Sequence, residues 1–224
     1  MQPNRSVRFY GCFMADPAVP RERATLETDK RAQILEGARQ VFFAHGFNGA
    51  SMSEIALAAG VSKGTLYVYF ENKERLFAAL VEEHSRQIGG STLKLDPDED
   101  DVRGALMKTA RDYLNALAQP DHVAWLRTVI GASEKFPELG QIFVDSGPRR
   151  AAQKLSDWFR AWISRGKLKI DNVEIAAWQF TMMIQGPILV PMLYGGEARP
   201  SAARIEEVVR QSVDMFLAAY GRKV

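Results

Sequence analysis

The sequence predicts an all-α fold in two domains, and three observations support this prediction. Apolar residues recur at intervals of three and four over most of the chain after residue 28, the spacing of amphipathic helices. No stretch alternates apolar and polar residues as a half-buried strand does. The acidic segment LKLDPDEDD, residues 93–101, interrupts the helical pattern with a proline, which indicates a solvated linker between domains.

These boundaries predict a flexible N-terminal arm over 1–27, a first helical domain over 28–92 and a second over 93–224. The arm holds Arg21 and Arg23, which could reach a DNA minor groove, although a solvated tail is the simpler alternative. Met14 is a plausible true start of the protein.

Composition limits the function without choosing it. A net charge of +2 means that any nucleic-acid surface must be local. Cys12 is the only cysteine, so no intramolecular disulfide can form, and a reducing cytoplasm fits the chain. We find no apolar run of about 20 residues, the length of a membrane span, and therefore expect no membrane partner.

Residues 51–73 have the spacing of a helix-turn-helix. Ser51 and Glu54 form the pattern of a capping box at the start of one short helix, and Gly60 ends that helix. Ser62 can cap a second helix, in which Leu66 is the buried residue. In this motif the second helix enters the major groove, so the spacing predicts binding to double-stranded DNA.

The flanking helices complete a three-helix unit. Thr28 begins an apolar-periodic helix that ends at Gly46, and Asn72 caps a long helix that leads into the second domain. Lys73 lies in the first turn of that long helix, where the helix dipole favours an anion over a cation. The position therefore suggests that a DNA phosphate binds there.

Over residues 28–81 the chain resembles the tetracycline-repressor (TetR) family of bacterial transcriptional regulators. The resemblance is carried by Gly60-Val61-Ser62-Lys63-Gly64-Thr65-Leu66-Tyr67, followed by Tyr69-Phe70 and Asn72-Lys73. It implies that the DNA contacts are made by Ser51, Lys63, Gly64, Thr65, Tyr67, Tyr69 and Lys73. Most of these groups would position the protein on phosphates, with Lys63 and Gly64 nearest the base edges. The two tyrosines lie on different helix faces, so at most one belongs to the core.

The second domain is predicted to contain helices at about 102–118, 121–135, 148–165, 171–194 and 201–220, with Pro137 as a break. The segment Phe136-Pro137-Glu138-Leu139 after an apolar helix resembles the C-terminal domain of the AefR-like branch of the TetR family. This resemblance implies a helical domain for ligand binding and dimerisation.

Aromatic residues are concentrated in this second domain, which holds all four tryptophans. If the domain binds an effector, we expect a mainly apolar pocket that takes a small hydrophobic or aromatic molecule. The predicted lining is Trp125, Phe136, Phe143, Trp158, Trp162, Trp178 and Met182. The alternative is that these aromatic residues are simply the core of a regulator without a small-molecule ligand.

Helix 171–194 is apolar on nearly its whole circumference, which requires burial on all sides. A second subunit would cover the remaining face, and helix 201–220 would complete a four-helix interface in a homodimer. The predicted interface residues are Ala176, Met183, Ile205, Val209, Val213 and Phe216.

The sequence shows little sign of catalysis. His45, His84 and His122 are far apart in the chain and lack a metal-ligand spacing, so each is expected at the surface or at a helix end. We therefore expect no metal, no cofactor and no enzymatic activity. A DNA-binding repressor of a palindromic operator, acting as a homodimer and released by a small apolar effector, is the favoured interpretation; an all-α enzyme and a dimerisation scaffold are the alternatives.

Overall fold

A computed structural model describes residues 19–92, 95–96, 100–196 and 199–222. In these ranges the protein consists of helices joined by turns and loops. The helices in these ranges are α1 (Val19–Gly49), α2 (Met52–Ala58), α3 (Lys63–Tyr69), α4 (Lys73–Thr92), α5 (Val102–Leu117), α6 (Pro120–Ser133), α7 (Pro137–Ser146), α8 (Pro148–Ser164), α9 (Val173–Leu193) and α10 (Ala202–Tyr220). Among the described residues, extended pairing is limited to one bridge between Leu168 and Gly221, so the all-α prediction is confirmed.

Helix α1 begins earlier than the sequence pattern indicates. It starts at Val19 rather than near Thr28, so residues 19–27 of the predicted arm belong to the helix. Pro20 is compatible with a helix start, because the first turn does not use its missing N–H. Residues 1–18, and the side chains of Arg21 and Arg23, lie outside the described part of the protein.

The first core is built by α1 to α4. Phe42, Phe47 and Phe77 form a cluster in which the Phe42 and Phe77 rings lie 4.8 Å apart edge to face. Leu66 of α3 is fully buried against this cluster, as its position in the motif predicted. The helix-turn-helix is therefore held by packing rather than by its own short helices, which would be marginal alone.

Helix α6 joins the two domains through both of its faces. Trp125 and Val129 belong to the first core, where the Trp125 ring lies 5.0 Å from that of Phe77. Val123 and Leu126 of the same helix face the second core. The linker at 93–101 separates the domains along the chain, whereas in space they share α6.

The second core is built mainly by α5, α8, α9 and α10. Trp158, Trp162 and Phe159 of α8 pack against Phe180 of α9 and Phe216 of α10. The Trp158 ring lies 3.9 Å from the Trp162 ring, and the Trp158 indole N–H donates to the carbonyl of Asp96 at 2.8 Å. The aromatic stripe of α8 is thus part of a closely packed interior.

Helix α7 is absent from the prediction, which treated Pro137 only as a break. In the structure Pro137 is the first residue of α7, a position where its fixed φ favours a helix. Leu139 of α7 is buried in the first core, and this packing stabilises a helix of only ten residues.

Helix α9 is long and apolar enough to span a membrane by length and composition, contrary to our reading of the sequence. Its prolines and its glutamines make the apolar run less obvious in the sequence. In the structure Ala176, Phe180 and Ile184 are buried against α8 and α10. The packing of the second core therefore accounts for the inward face of the helix, while only 39% of its most apolar stretch is buried.

Candidate functional site

The helix-turn-helix has the local geometry that its sequence predicts. The backbone N–H of Glu54 donates to Ser51 Oγ at 3.2 Å, and the Glu54 carboxylate accepts from the Ser51 backbone N–H at 3.0 Å. Gly60 has a φ of 62°, in the left-handed region that favours glycine at a helix end. The Thr65 backbone N–H donates to Ser62 Oγ at 3.0 Å, which caps α3.

The capping box limits what Ser51 can do at a phosphate. Its hydroxyl donates to Glu54 Oε2 at 2.7 Å, and this bond lowers the pKa of the Glu54 carboxyl. In this conformation the hydroxyl proton is not available to DNA. Other backbone N–H groups in the first turn of α2 are not used by the capping box and could donate to a phosphate.

The outward face of α3 presents the groups that can meet DNA. Lys63 and Gly64 are exposed in its first turn, and Tyr67 is 45% exposed one turn later. Val68, which the resemblance did not single out, is 82% exposed beside Tyr67. Tyr69 is half-buried and packs on the first core, so the two tyrosines do divide between surface and core.

Lys73 has an intramolecular role that its sequence position did not predict. Its ammonium group donates to the carbonyls of Phe47 at 2.8 Å and Ala50 at 2.9 Å, and lies 4.7 Å from the centre of the Phe47 ring. These carbonyls lie at the C-terminal end of α1, where a cation is favoured. The unfavourable place of Lys73 in the first turn of α4 is thus explained without a phosphate.

An apolar cavity of about 490 Å³ lies in the second domain, a size that suits a small organic molecule. Helices α4 to α9 all line it, with Ile88, Leu117, Leu126, Phe143 and Leu189 among the apolar residues. Ile130, Met182 and Val190 also line it and are about half exposed, so they form an apolar mouth. None of the described lining residues carries a Lys, Arg, Asp or Glu side chain.

Only two of the seven predicted lining residues, Phe143 and Met182, line this cavity. The prediction is wrong for the others, because their rings fill the two cores instead. Trp125 and Phe136 pack toward the first domain, where Phe136 lies 5.1 Å from Phe47. The rest belong to the second core, namely Trp158, Trp162 and the half-buried Trp178.

A pair of histidines, His122 buried and His84 half-buried, lies between α4 and α6, where we expected only surface or helix-end histidines. His84 Nε2 and His122 Nδ1 are 2.9 Å apart, and the two rings stack with their centres 5.2 Å apart. Burial lowers the pKa of His84 to about 4 and that of His122 to about 3. The expectation failed because residues 38 positions apart in the chain meet only in the folded protein.

The predicted dimer residues also need correction. Ala176, Ile205, Val209, Val213 and Phe216 are buried within one protomer, because the inward faces of α9 and α10 pack on α5 and α8. The prediction of these five as interface residues is therefore wrong. The outward apolar face of the same two helices is a shallow groove that contains Met183, Pro187, Val208 and Met215.

A helix-turn-helix unit that rests on a second helical domain is the architecture of a DNA-binding regulator. Residues 34–80 match the profile described as bacterial regulatory proteins, tetR family. Residues 104–222 match that of the AefR-like transcriptional repressor, C-terminal domain. The chain therefore belongs to the TetR family, and its second domain is of the AefR-like type.

Two relatives with curated names are transcriptional repressors with a helix-turn-helix. The chain is 26% identical over 188 residues to the HTH-type transcriptional repressor Rv1474c of Mycobacterium tuberculosis, a match that covers 82% of this chain and 92% of the relative. It is 33% identical over 99 residues to the repressor AcnR of Corynebacterium diphtheriae, where the match covers 44% of this chain and only 46% of the relative.

Solved structures agree with this assignment over nearly the whole described fold. A TetR-family transcriptional regulator from Mesorhizobium loti has a TM-score of 0.82 and 28% identity, covering 87% of this chain and 98% of that one. The flavonoid-responsive regulator FrrA has a TM-score of 0.77 and 30% identity, covering 88% of this chain and all of FrrA.

Proposed function

We propose that this protein is a cytoplasmic transcriptional repressor that binds operator DNA as a homodimer and is released by a small, mainly apolar molecule. The observation that carries the effector part is the cavity of about 490 Å³, which is bordered by α4. Because α4 begins directly after α3, a ligand that moves α4 also moves the recognition helix. The family's repressors and the absence of a catalytic pattern favour a regulator over an enzyme.

We propose that α3 enters the major groove and that its contacts divide into two kinds. Tyr67 would donate its hydroxyl to a phosphate, while Lys63 and Gly64 lie where base edges are approached. Val68 adds an exposed apolar side chain that suits a thymine methyl group. Thr65 and Tyr69 are half-buried and would contribute at the edge of this surface, with Ser51 and Lys73 mainly supporting it.

A twofold dimer would place its two recognition helices about 34–36 Å apart, or somewhat more, so the operator should be an inverted repeat. The face that fits a partner is the outward groove of α9 and α10 rather than their buried faces. It is apolar at its centre and carries Arg204 and Gln211 beside it. This composition suits an interface with an apolar core and a polar rim.

For the effector, the cavity favours a neutral molecule with apolar or aromatic surface, since no charged side chain among the described lining residues could pair with an ion. FrrA is named for its response to flavonoids, which are flat aromatic molecules of this type. Naringenin, a flavonoid that carries hydroxyl groups, is therefore a suitable probe. It must bind the DNA-incompetent conformation more tightly, because equal affinity for both states shifts no equilibrium.

The deciding experiment measures operator binding by fluorescence anisotropy, on a sequence first selected from random DNA. We expect an inverted repeat to be selected, and naringenin to weaken its binding at least tenfold. Tyr67→Phe should weaken binding to operator and random DNA alike by about 1 kcal/mol, since it removes one phosphate contact. Lys63→Ala should instead change the base preference.

Tyr194→Phe is the matched control, because Tyr194 is an exposed tyrosine that belongs to the second domain and not to the helix-turn-helix. It should bind DNA as the wild type does. A selection that returns no repeat would contradict the dimeric DNA-binding proposal. Unchanged operator affinity in the presence of naringenin, together with no binding of naringenin to the protein, would contradict this class of effector.

The proposed dimer makes a separate prediction. Met215→Asp places a charge in the outward groove of α10, where Met215 is 63% exposed in one protomer. We expect this variant to be folded but monomeric, because an unpaired charge is unfavourable in an apolar interface. Sedimentation velocity compares it with Leu57→Asp, a similarly exposed apolar site on α2 that should remain dimeric. A wild type that sediments as a monomer at all concentrations would contradict the interface.

A further inference from the structure

The wall of the cavity contains two polar residues, on α4 and α6, that can hydrogen-bond to a ligand. Ser85 of α4 is one of them, and only 5% of its surface is exposed. Its hydroxyl has no hydrogen-bond partner among the described residues. A buried hydroxyl without a partner is unfavourable by about 1–3 kcal/mol. Such a group in a cavity wall indicates that a molecule in the cavity satisfies it.

His122 of α6 also lines the cavity, and its ring is hydrogen-bonded to that of His84, the residue before Ser85. Its Nδ1 is engaged by His84, and its Nε2 has no hydrogen bond within the described part of the chain. Burial keeps the ring neutral at neutral pH, since its pKa is lowered to about 3. The free nitrogen can donate or accept, depending on which of the two histidines carries the proton between them.

The other polar side chains that line the wall each make at least one hydrogen bond within the protein. Ser133 donates its hydroxyl to the carbonyl of Val129 at 2.7 Å. The Gln185 side-chain amide donates to the Tyr113 hydroxyl at 3.3 Å. Ser85 is distinguished from the other polar side chains of the wall because its buried hydroxyl makes no hydrogen bond, and His122 keeps one ring nitrogen for a further bond.

We propose that Ser85 and His122 form a hydrogen-bonding subsite that takes a hydroxyl group of a neutral, hydroxylated aromatic ligand. The inference rests on the proposed effector function and specifies the chemistry of the same cavity. A hydroxyl group suits the pair because it can accept from Ser85 and donate to His122, or the reverse. A water at this place would be displaced without loss only by a ligand group that repeats its hydrogen bonds.

The subsite also explains why the ligand would act on DNA binding. Ser85 lies on α4, the helix whose first residue, Lys73, holds the end of α1. His122 lies on α6, which packs against the first core through Trp125. A ligand bonded to both residues is in contact with the two helices that connect the cavity to the DNA-binding unit.

The test compares naringenin with flavanone, which has the same ring skeleton without hydroxyl groups, on the wild type and on Ser85→Ala. Dissociation constants are measured by tryptophan fluorescence and by calorimetry. We expect the wild type to bind naringenin at least tenfold more tightly than flavanone. Ser85→Ala should lose about tenfold in affinity for naringenin and change little for flavanone, since one buried hydrogen bond is removed.

Ser133→Ala is the matched control, because Ser133 lines the same cavity and its hydroxyl is bonded within α6. It should retain the wild-type ratio of the two affinities. The thermal midpoint of ligand-free Ser85→Ala should equal or exceed that of the wild type, since an unpaired buried hydroxyl is removed. This readout separates lost binding from lost folding.

The outcomes distinguish the subsite from the proposed function. If both compounds bind with equal affinity, or if Ser85→Ala leaves their ratio unchanged, the subsite is overturned while the effector cavity stands. If neither compound binds the wild type up to its solubility limit, both the subsite and the proposed effector class are overturned. The assignment is supported if Ser85→Ala loses about tenfold in affinity for naringenin but not for flavanone, while Ser133→Ala loses affinity for neither.

Discussion

Replacing Gly37 by alanine is expected to lower the free energy of unfolding by about 3 kcal/mol and to abolish operator binding. Gly37 lies on α1 where this helix crosses the end of α2. A Cβ at this position would lie 2.5 Å from the backbone nitrogen of Ala59 and 2.6 Å from its Cα. Backbone atoms cannot rotate aside as a flexible side chain does, so the two helices must separate.

The contact at Gly37 is reinforced by a neighbouring hydrogen bond, in which the Gln33 amide donates to the carbonyl of Ala59 at 2.6 Å. Ala59 ends α2 directly before the turn at Gly60. Separation of α1 from Ala59 would therefore displace the turn and α3 together. The effect should reach DNA binding although Gly37 is not on the DNA-binding surface.

Urea unfolding and operator titration of Gly37→Ala check this expectation. Gly131→Ala is the matched control, because Gly131 is a helical glycine with no heavy atom within 4 Å of a Cβ. That variant should be more stable than the wild type by about 0.5–1 kcal/mol, from helix propensity. A Gly37→Ala variant as stable as the wild type would show that the helices do not meet at this glycine.

The first domain could be predicted in detail because its features are encoded by neighbouring residues. The Ser51–Glu54 capping box, the cap at Ser62 and the positive φ of Gly60 each depend on a few consecutive positions. Asn72 likewise caps α4, accepting from the Arg75 backbone N–H at 2.8 Å. Local chemistry of this kind can be read before the fold is known.

The second domain could be predicted only as a set of helices. Helical periodicity shows that one face of α8 is apolar, but not whether Trp158 and Trp162 meet a cavity or other side chains. The same limit applies to α10, where Val209 and Val213 face the protomer core rather than a partner. Which apolar surfaces meet each other is decided by the tertiary arrangement.

The polar contacts between distant segments were also beyond the sequence pattern. Lys73 finds the carbonyls of Phe47 and Ala50, which precede it by more than twenty residues. Ser85 becomes a cavity group only because α6 to α9 enclose its hydroxyl. No spacing rule marks either residue, because each depends on the relative positions of several helices.

The pair of His84 and His122 is expected to make the protein less stable below neutral pH. Burial lowers the pKa of His84 to about 4, with the Arg39 cation adding to the effect and Asp121 opposing it. Burial, followed by the charge of His84, lowers the pKa of His122 to about 3. The unfolded chain titrates near 6.5 and so binds protons more readily than the folded chain.

The direction of the pH effect follows from this difference. The contribution of the pair to stability is fully present above pH 6.5 and is lost progressively as the pH falls toward the folded-state values. Between pH 7.5 and pH 5 we expect a loss of about 2 kcal/mol for each histidine. Glu36 and Glu83, whose pKa values are lowered by arginine partners, lose their contribution only at lower pH.

Urea unfolding at pH 7.5 and pH 5, at one protein concentration, measures the loss. The variant with both His84→Gln and His122→Gln should be less sensitive to pH in this range, whatever its stability at pH 7.5. His45→Gln, at an exposed site on α1, should keep the full pH dependence of the wild type. If the double variant loses as much stability as the wild type between the two pH values, the pair is not held neutral by burial. The loss would then come from groups other than this pair. Glu36 and Glu83 would not account for it, because their lowered pKa values lie below pH 5.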